Sequence, residues 1–510
     1  MPLKQSVQSY LKSDGPASVV VFLVALPLCL GVAVASDAPP ISGIIAGAIG
    51  GIVVGLISKS NLSVSGPAAG LTAIVATSIS ELESFNLFLS ATIIAGVIQI
   101  ILGLLRAGLL GDYIPNAVIK GMLAAIGIML ILKQIPHLIG YQGEAHISNS
   151  IIQDNLASTF KQLVQARNYT TPLCVFIGLI SLLILFVGDI KHVKSLSFFK
   201  LIHPALLVVI AGIVINAYPA ESMKLGSDQL ITLPVFQSIT GLYFETPKPD
   251  FTTVFYNQTI WITAFTIAVV ATLESLLSIE AVDKLDPNKN VTPAGRELVA
   301  QGSGNIVSGL LGGLPIASVI VRSSANVMSG AKTKMSTIFH GILLLLFVLY
   351  LPEVLNKIPK ASLAGILIFT GYKLAKIELF REYFRKGWNQ FLPFMITILA
   401  IVFTDLLVGI LIGFAAGLFF VIRSNFSAAA TLSINGNQYL ICFHKDATFI
   451  NKGHIKQLLR KIPDQATVHI DTSRTQFIDQ DIIDLIQDFT VNADQKNIRV
   501  SIIHNDKKNT

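Results

Sequence analysis

The sequence predicts a polytopic α-helical membrane protein: fourteen segments in a seven-plus-seven inverted repeat with two half-helices, then a small cytoplasmic α/β domain. Three observations predict it. Of 510 residues, 52% are apolar and only 13% charged, with a mean hydropathy of +0.67, where soluble domains carry about 25% charge. Stretches such as 87–105 and 389–404 hold no charge and are long enough to cross a hydrocarbon layer of about 30 Å. Finally, two Gly/Pro-marked interruptions recur about 250 residues apart, the pattern left by repeats with broken helices. Fibrous and disordered classes are excluded by the same composition.

The apolar segments run at 16–36, 41–58, 67–80, 87–105, 114–133, 172–188, 201–217, 259–281, 294–312, 322–331, 335–351, 359–375, 389–404 and 406–422. The first could pass for a cleaved leader, because Ala33-Val34-Ala35 fits a cleavage site. Its apolar run, Ala17 to Ala35, contains Pro27 and Gly31 and exceeds the 7–15 residues of a signal core, so it is expected to be retained. Polar excursions interrupt the series at 134–171 and 218–258. The membrane domain is expected over 1–425 and the soluble domain over 430–510. Cys29, Cys174 and Cys442 lie far apart and offer neither a disulfide framework nor a metal site.

Orientation follows from the basic residues. With the N-terminus inside, eighteen Lys and Arg of residues 1–430 fall on the inner side, among them Lys59, Arg296, Lys334 and Arg385, and seven on the outer side. That bias places both termini in the cytoplasm and accounts for the net charge of +7. No basic cluster is left over for nucleic acid.

The two short segments matter most. Ser63-Val64-Ser65-Gly66-Pro67-Ala68-Ala69-Gly70 precedes one, and Gly312-Gly313-Leu314-Pro315-Ile316-Ala317-Ser318 leads into the other. Each reads as extended chain feeding a half-length helix, and the two helices are expected to run in opposite directions across the bilayer. Extended backbone survives at that depth only when buried in protein or lining a cavity.

Several motifs add a family resemblance. Ser65-Gly-Pro-Ala-Ala-Gly70, Leu273-Glu-Ser-Leu-Leu277, Glu297-Leu-Val-Ala-Gln-Gly302 with Asn305, and Gly312-Gly-Leu-Pro315 with Arg322 and Asn326 occur in order. In this the chain resembles the SulP inorganic anion transporters. The resemblance implies core and gate subdomains, a cytoplasmic STAS domain, and carriage of sulfate, bicarbonate or related small anions.

An anion at mid-membrane needs compensation without a large desolvation cost. Half-helix N-termini meeting head to head offer unpaired amides and the positive ends of two dipoles. The predicted anion site therefore comprises Gly66, Ala68, Ala69 and Gly70 from the first turn, with Val319, Ile320, Val321, Arg322 and Ser323 from the second. An intramembrane arginine is costly enough to signal function; Arg322 supplies fixed positive charge or pairs with a carboxylate. Glu274 is the sole charge between Ile260 and Ile279, and Ser278 lies one turn on along the same face. Members of the family use an acid here for cation coupling. Glu274 and Ser278 are accordingly assigned to a coupling proton, or to Na+, with a glutamate favouring the proton. The competing reading is a structural Glu274–Arg322 ion pair.

Weaker candidates have plainer explanations. Glu280 reads as interfacial, Lys120 as a base snorkelling to water, Asp37 and Asp405 as water-exposed ends, and His203 and His340 as satisfied packing histidines. The glycines of Gln301-Gly-Ser-Gly304 lack the Gly-Lys-Ser/Thr of a phosphate loop and suit helix packing better. With no ATP-binding motif, transport is expected to draw on ion gradients or exchange. No nucleophile–base constellation is readable, and neither an enzyme activity nor a cofactor is expected.

The last 80 or so residues predict a hairpin over Leu432 to Phe443 turning at Asn435-Gly436, strands at 466–471 and 499–503, and helices near 455–460 and 482–490. This pattern is similar to a STAS domain, with Gln480 and Asp481 standing where a phosphorylatable hydroxyl is expected. Its expected role is regulation or homodimer packing. The function predicted is secondary active anion transport at the cell membrane by alternating access. The alternatives are an anion-sensing receptor and a nucleobase carrier of the same fold.

Overall fold

In a computed structural model the described residues are 2–105, 115–141, 170–190, 193, 203–218, 224–235, 241, 244–404, 406–426 and 429–503. Asp405 lies outside them. Every apolar stretch carries a helix. These are α1 (Pro2–Ala35), α2 (Pro40–Ile57, with a π-helical turn at Gly50–Val54), α3 (Thr72–Leu82), α4 (Phe85–Leu104), α5 (Asn116–Leu138), α6 (Pro172–Asp189) and α7 (Pro204–Ala217). They continue with α8 (Gln258–Leu285), α9 (Ala294–Leu310), α10 (Ile320–Met328), α11 (Met335–Tyr350), α12 (Lys360–Leu374), an amphipathic α13 (Ile377–Arg385), α14 (Trp388–Phe403) and α15 (Leu406–Phe426). Among the described residues, seven helices are long and apolar enough to cross a membrane; α10 and α11 are among those that fall short.

Local chemistry sets where these helices begin. Proline, which needs no amide partner, opens α2, α6 and α7. Ser84 and Asn257 cap α4 and α8 by accepting from Leu87 N–H and Thr259 N–H. Val21, Val24, Ala25, Cys29 and Leu30 have no exposed surface, so α1 is packed as an interior helix.

Short strands β1 (Ser65–Pro67) and β2 (Ile316–Ser318) pair antiparallel, Ser65 opposite Ser318 and Pro67 opposite Ile316. β1 passes through a single 3₁₀ turn at Ala69–Leu71 into α3, and β2 passes through Val319 into α10. Both extended stretches expected from the sequence are therefore present, and they are each other's hydrogen-bond partners. Leu314 follows a reversal at Gly312, whose φ of +82° an L side chain rarely adopts.

Close glycine contacts hold the flanking helices. A Cβ on Gly96 of α4 would lie 2.6 Å from the Gly302 carbonyl of α9, and one on Gly51 of α2 would lie 2.8 Å from Gly341 Cα of α11. Such contacts allow backbone-to-backbone packing where lipid supplies no hydrophobic drive.

The chain divides into two compact units, Met1–Phe380 with Thr397–Leu411, and Arg381–Ile396 with Ile412–Thr510. The second contains a four-stranded sheet in the order β3 (Ala430–Asn435), β4 (Gln438–Phe443), β5 (Thr467–Asp471), β6 (Arg499–Ile503), with α16 (Lys452–Leu459) and α17 (Gln480–Ala493). β3 and β4 are antiparallel; the remaining pairs are parallel. Its core gathers Ile441, Phe443, Ile455, Val468, Ile470 and Ile482. The hairpin turn falls one residue later than expected: Asn435 pairs with Gln438, leaving Gly436 and Asn437 as the turn, with Gly436 at φ +57°. Asp479 caps α17 through Asp481 N–H, so Gln480 and Asp481 serve as its first turn. The Asp471 carboxyl is held below its ordinary range by the Ser473 hydroxyl and amide.

Candidate functional site

The site is built on the β1–β2 ladder. Because the strands are antiparallel, α3 leaves from the Pro67 end and α10 from the Ser65 end. The two N-termini thus lie at opposite ends of the ladder, whose first and third residues are two rises, roughly 7 Å, apart.

Arg322 spans that gap. It occupies the first turn of α10, where side chains point back toward the helix start, and its Nη2 donates to Pro67 O at 3.2 Å. The residue is 1% exposed, and Nε and Nη1 have no hydrogen-bond partner. Gly66 leaves the room: a Cβ there would collide with Arg322 Nη1. The Cys29 thiol of α1 lies against the same guanidinium. A buried cation with unused donors beside a helix N-terminus is a seat for negative charge.

Buried side chains fix the ladder from both sides. Ser318 N–H donates to Ser275 Oγ at 3.1 Å, and Ser318 O accepts from Ser278 Oγ at 2.8 Å, both from α8. Asn305 of α9 brackets Ile316, accepting from its amide at 2.6 Å and donating to its carbonyl at 3.0 Å. Gln301 donates to Ser65 Oγ at 2.7 Å and to Glu297 Oε1 at 2.8 Å, and Ser58 donates to Glu297 Oε2. Ser323 Oγ accepts from Val64 N–H at 2.9 Å, and Asn326 donates to Leu62 O at 3.0 Å.

Not every expected ligand group is left available. The Val319 amide is committed to Val64 O at 3.0 Å. The Gly70 amide is met by the Glu274 carboxyl, and a Cβ on Gly70 would lie 2.7 Å from Glu274 Oε2. The Glu274 carboxyl is thus laid on the α3 N-terminus, where the dipole favours its ionised form over what burial alone would allow. In α10, Ser323 N–H makes the first return bond, to Val319 O, leaving the amides of Ile320, Val321 and Arg322 without an intrahelical acceptor. Ala68 is buried and Ala69 half-buried, both small enough to keep the α3 entrance open.

The structure brings Gly66, Gly70, Glu274, Ser278, Arg322 and Ser323 around one ladder. It does not pair Glu274 with Arg322: among the described residues no ion pair joins them, because the carboxyl lies against Gly70 and the guanidinium against Gly66 and Pro67. Glu280 is exposed and pairs with Lys284 at 2.6 Å, as an interfacial residue should. Asp37 and Lys120 are exposed. His203 is satisfied as a helix cap, its Nδ1 accepting from Ala205 N–H at 3.2 Å. His340 departs from expectation: it is fully buried with neither ring nitrogen bonded. Sequence reading missed the bracing roles of Asn305, Gln301, Glu297 and Ser275. All four belong to the recognised motifs, and only the fold shows what they hold.

An integral membrane protein whose broken helices are pinned at a short strand crossing, with a buried arginine at that crossing, belongs among the solute carriers of this architecture. More particularly, residues 11–400 match the model of the sulfate permease family, and the chain belongs to that family. It is 28% identical over 427 residues to the sodium-independent sulfate anion transporter of Bos taurus, covering 79% of this chain and 68% of that one. It is 25% identical over 413 residues to the bicarbonate transporter BicA of Picosynechococcus, covering 79% and 69%. The solved structure of the murine Solute Carrier 26 family member A9 anion transporter superposes with a TM-score of 0.80 at 15% identity, over 97% of this chain and 85% of that one, a likeness of fold.

Proposed function

We propose that the protein is a secondary active transporter of small inorganic anions, sulfate or bicarbonate, working by alternating access. The observation that carries this reading is the Arg322 guanidinium. It is buried at the strand crossing with Nε and Nη1 unpaired, beside the entrance to α3. A small oxyanion accepts from those donors and from the free amides of α10; Gly66, Ala68, Ala69, Ile320, Val321 and Ser323 shape the seat.

Glu274 and Ser278 are assigned to the coupling cation. Their carboxyl and hydroxyl brace opposite members of the site, Gly70 and Ser318, so proton or Na+ binding at Glu274 changes what holds the α3 entrance. In this reading the fourteen segments form two inverted sevenfold repeats in the cell membrane, with both termini cytoplasmic. The C-terminal unit is a STAS-like regulatory or homodimerising domain.

Uptake of radiolabelled sulfate and bicarbonate into proteoliposomes, with sodium and pH varied separately, tests the proposal. Arg322→Ala and Glu274→Gln are each expected to abolish concentrative uptake while the protein stays inserted and monodisperse. Full uptake by both variants would refute the assignment. A nucleobase carrier is the second reading, favoured by the carboxylate at Gly70, and uracil uptake by the same vesicles would establish it instead.

A further inference from the structure

Beyond Arg322, one orphaned polar side chain near the strand crossing has both a donor and an acceptor to offer. His340 of α11 has 0% exposure, and neither Nδ1 nor Nε2 has a hydrogen-bond partner. The ring is carried to that place by backbone contact: Gly341, the next residue, lies against the α2 backbone at Ala48 and Ile52. Gly47, the residue before Ala48, faces Cys29 Sγ and Leu344, one turn beyond His340 on α11, and its Cα lies 3.4 Å from where a Gly66 Cβ would sit, the same place that would meet Arg322 Nη1. Arg322 and His340 between them hold four buried polar atoms without partners, Nε and Nη1 of the one and both ring nitrogens of the other; around the same ladder Glu274 Oε2, Gln301 Oε1 and Asn326 Oδ1 are unpartnered as well. Buried polar groups in native proteins rarely go unsatisfied without a functional reason.

The chemistry of the four atoms is unequal. The guanidinium nitrogens can only donate, whereas a neutral imidazole donates at one nitrogen and accepts at the other. Sulfate offers acceptors alone and would leave the accepting nitrogen unpaired. An oxyanion that carries its own hydroxyl fills the set: its oxygens accept from Arg322, and its O–H donates to the ring. A site built to hydrogen-bond a substrate hydroxyl discriminates strongly against an analogue that lacks it.

We infer that His340 is a specificity-determining residue of the anion site, accepting the hydroxyl of a hydrogen-bearing oxyanion and so favouring bicarbonate over sulfate. This rests on the anion-transport reading given above. It adds a selectivity that Arg322 and the helix amides, donors all, do not supply.

The test compares initial uptake of radiolabelled bicarbonate and sulfate by the full-length protein in proteoliposomes at one pH, with protein-free vesicles subtracted. The wild type is expected to favour bicarbonate. His340→Leu, which removes both nitrogens, is expected to lower bicarbonate uptake about tenfold relative to sulfate, the factor for one net hydrogen bond. His340→Gln, which keeps a donor and an acceptor, is expected to recover most of the preference. A merely structural histidine would depress both anions together, and that result overturns the inference, as does a wild type that favours sulfate or a ratio unchanged by His340→Leu. Arg322→Ala run in parallel separates the two claims. If it transports both anions normally, the anion-site reading fails; if it is inactive while the His340 ratio stays put, only the selectivity claim fails.

Discussion

The two broken helices use one backbone device with opposite side-chain chemistry. β1 and β2 are the same length and pair residue for residue, and each delivers the chain into a short helix. Around β1 the residues are small, Gly66, Ala68, Ala69 and Gly70, and the titratable group at that entrance is a visiting carboxyl, Glu274 of α8. Around β2 the entrance carries its own cation, Arg322. The supporting crossings differ in the same sense. Thr92-Ile93-Ile94-Ala95-Gly96 of α4 corresponds to Thr337-Ile338-Phe339-His340-Gly341 of α11, and both glycines touch a partner helix's backbone. Three residues on, the first crossing has Gln99 facing Asn305 at 2.7 Å, whereas the second has Leu344 and Val54 at those places. The two crossings share the close glycine contact, and the polar pair of the first is replaced by apolar residues in the second.

That contrast is broken most severely at the first entrance's glycines. Gly66→Ala places a methyl group on Arg322 Nη1 and displaces the one charge the two entrances share. Anion uptake in proteoliposomes is expected to fall roughly a hundredfold, the scale of losing charge-assisted hydrogen bonds. Gly70→Ala, which presses on Glu274 instead, is expected to spare exchange of anion across the membrane and weaken its concentrative, cation-linked component. Equal losses of both activities in both variants would mean that the two entrances are not chemically distinct.

Next in size is Asn305→Val, which gives the first crossing the residue that Val54 supplies in the second. Asn305 satisfies both the amide and the carbonyl of Ile316, and each buried group left unpaired costs about 1–3 kcal/mol. Thermal unfolding in detergent should show a destabilisation of about 2–4 kcal/mol. Unchanged melting would mean that the pairing of β2 with β1 holds the strand without its clamp.

How much of this was legible in the sequence depends on which force wrote it. Hydropathy placed the helices because burial in lipid needs long apolar runs, and each expected segment carries one. Pro67, Pro315 and their glycines marked the breaks, because proline removes an amide donor and glycine gives up the most backbone freedom in a helix, so their clustering disfavours one. The pairing of β1 with β2 was not legible: three-residue strands leave no alternation to read, and their partners lie some 250 residues away. Neither was the orientation of Arg322 and Glu274. The sequence puts both at mid-membrane and left a mutual ion pair open; the fold sends one to Pro67 and the other to Gly70. From sequence His340 is expected to be a satisfied core histidine, because a sequence does not say whether a buried nitrogen finds a partner.

The smallest expected effect belongs to Gln99→Leu, which copies Leu344 into the first crossing. Gln99 contributes one bond to Asn305 and a long one of 3.4 Å to Thr272 Oγ1. Leucine fills the same volume and removes two polar atoms from a buried place, so the loss of hydrogen bonding is partly offset by cheaper burial. Asn305 keeps its two bonds to Ile316, so the strand stays clamped. Thermal unfolding should register a cost of about 1 kcal/mol, with anion uptake near that of the wild type. A collapse of uptake at preserved stability would show that Gln99 acts on the anion or its coupling cation rather than on the clamp, and the polar character of the first crossing would then have to be counted as part of the site.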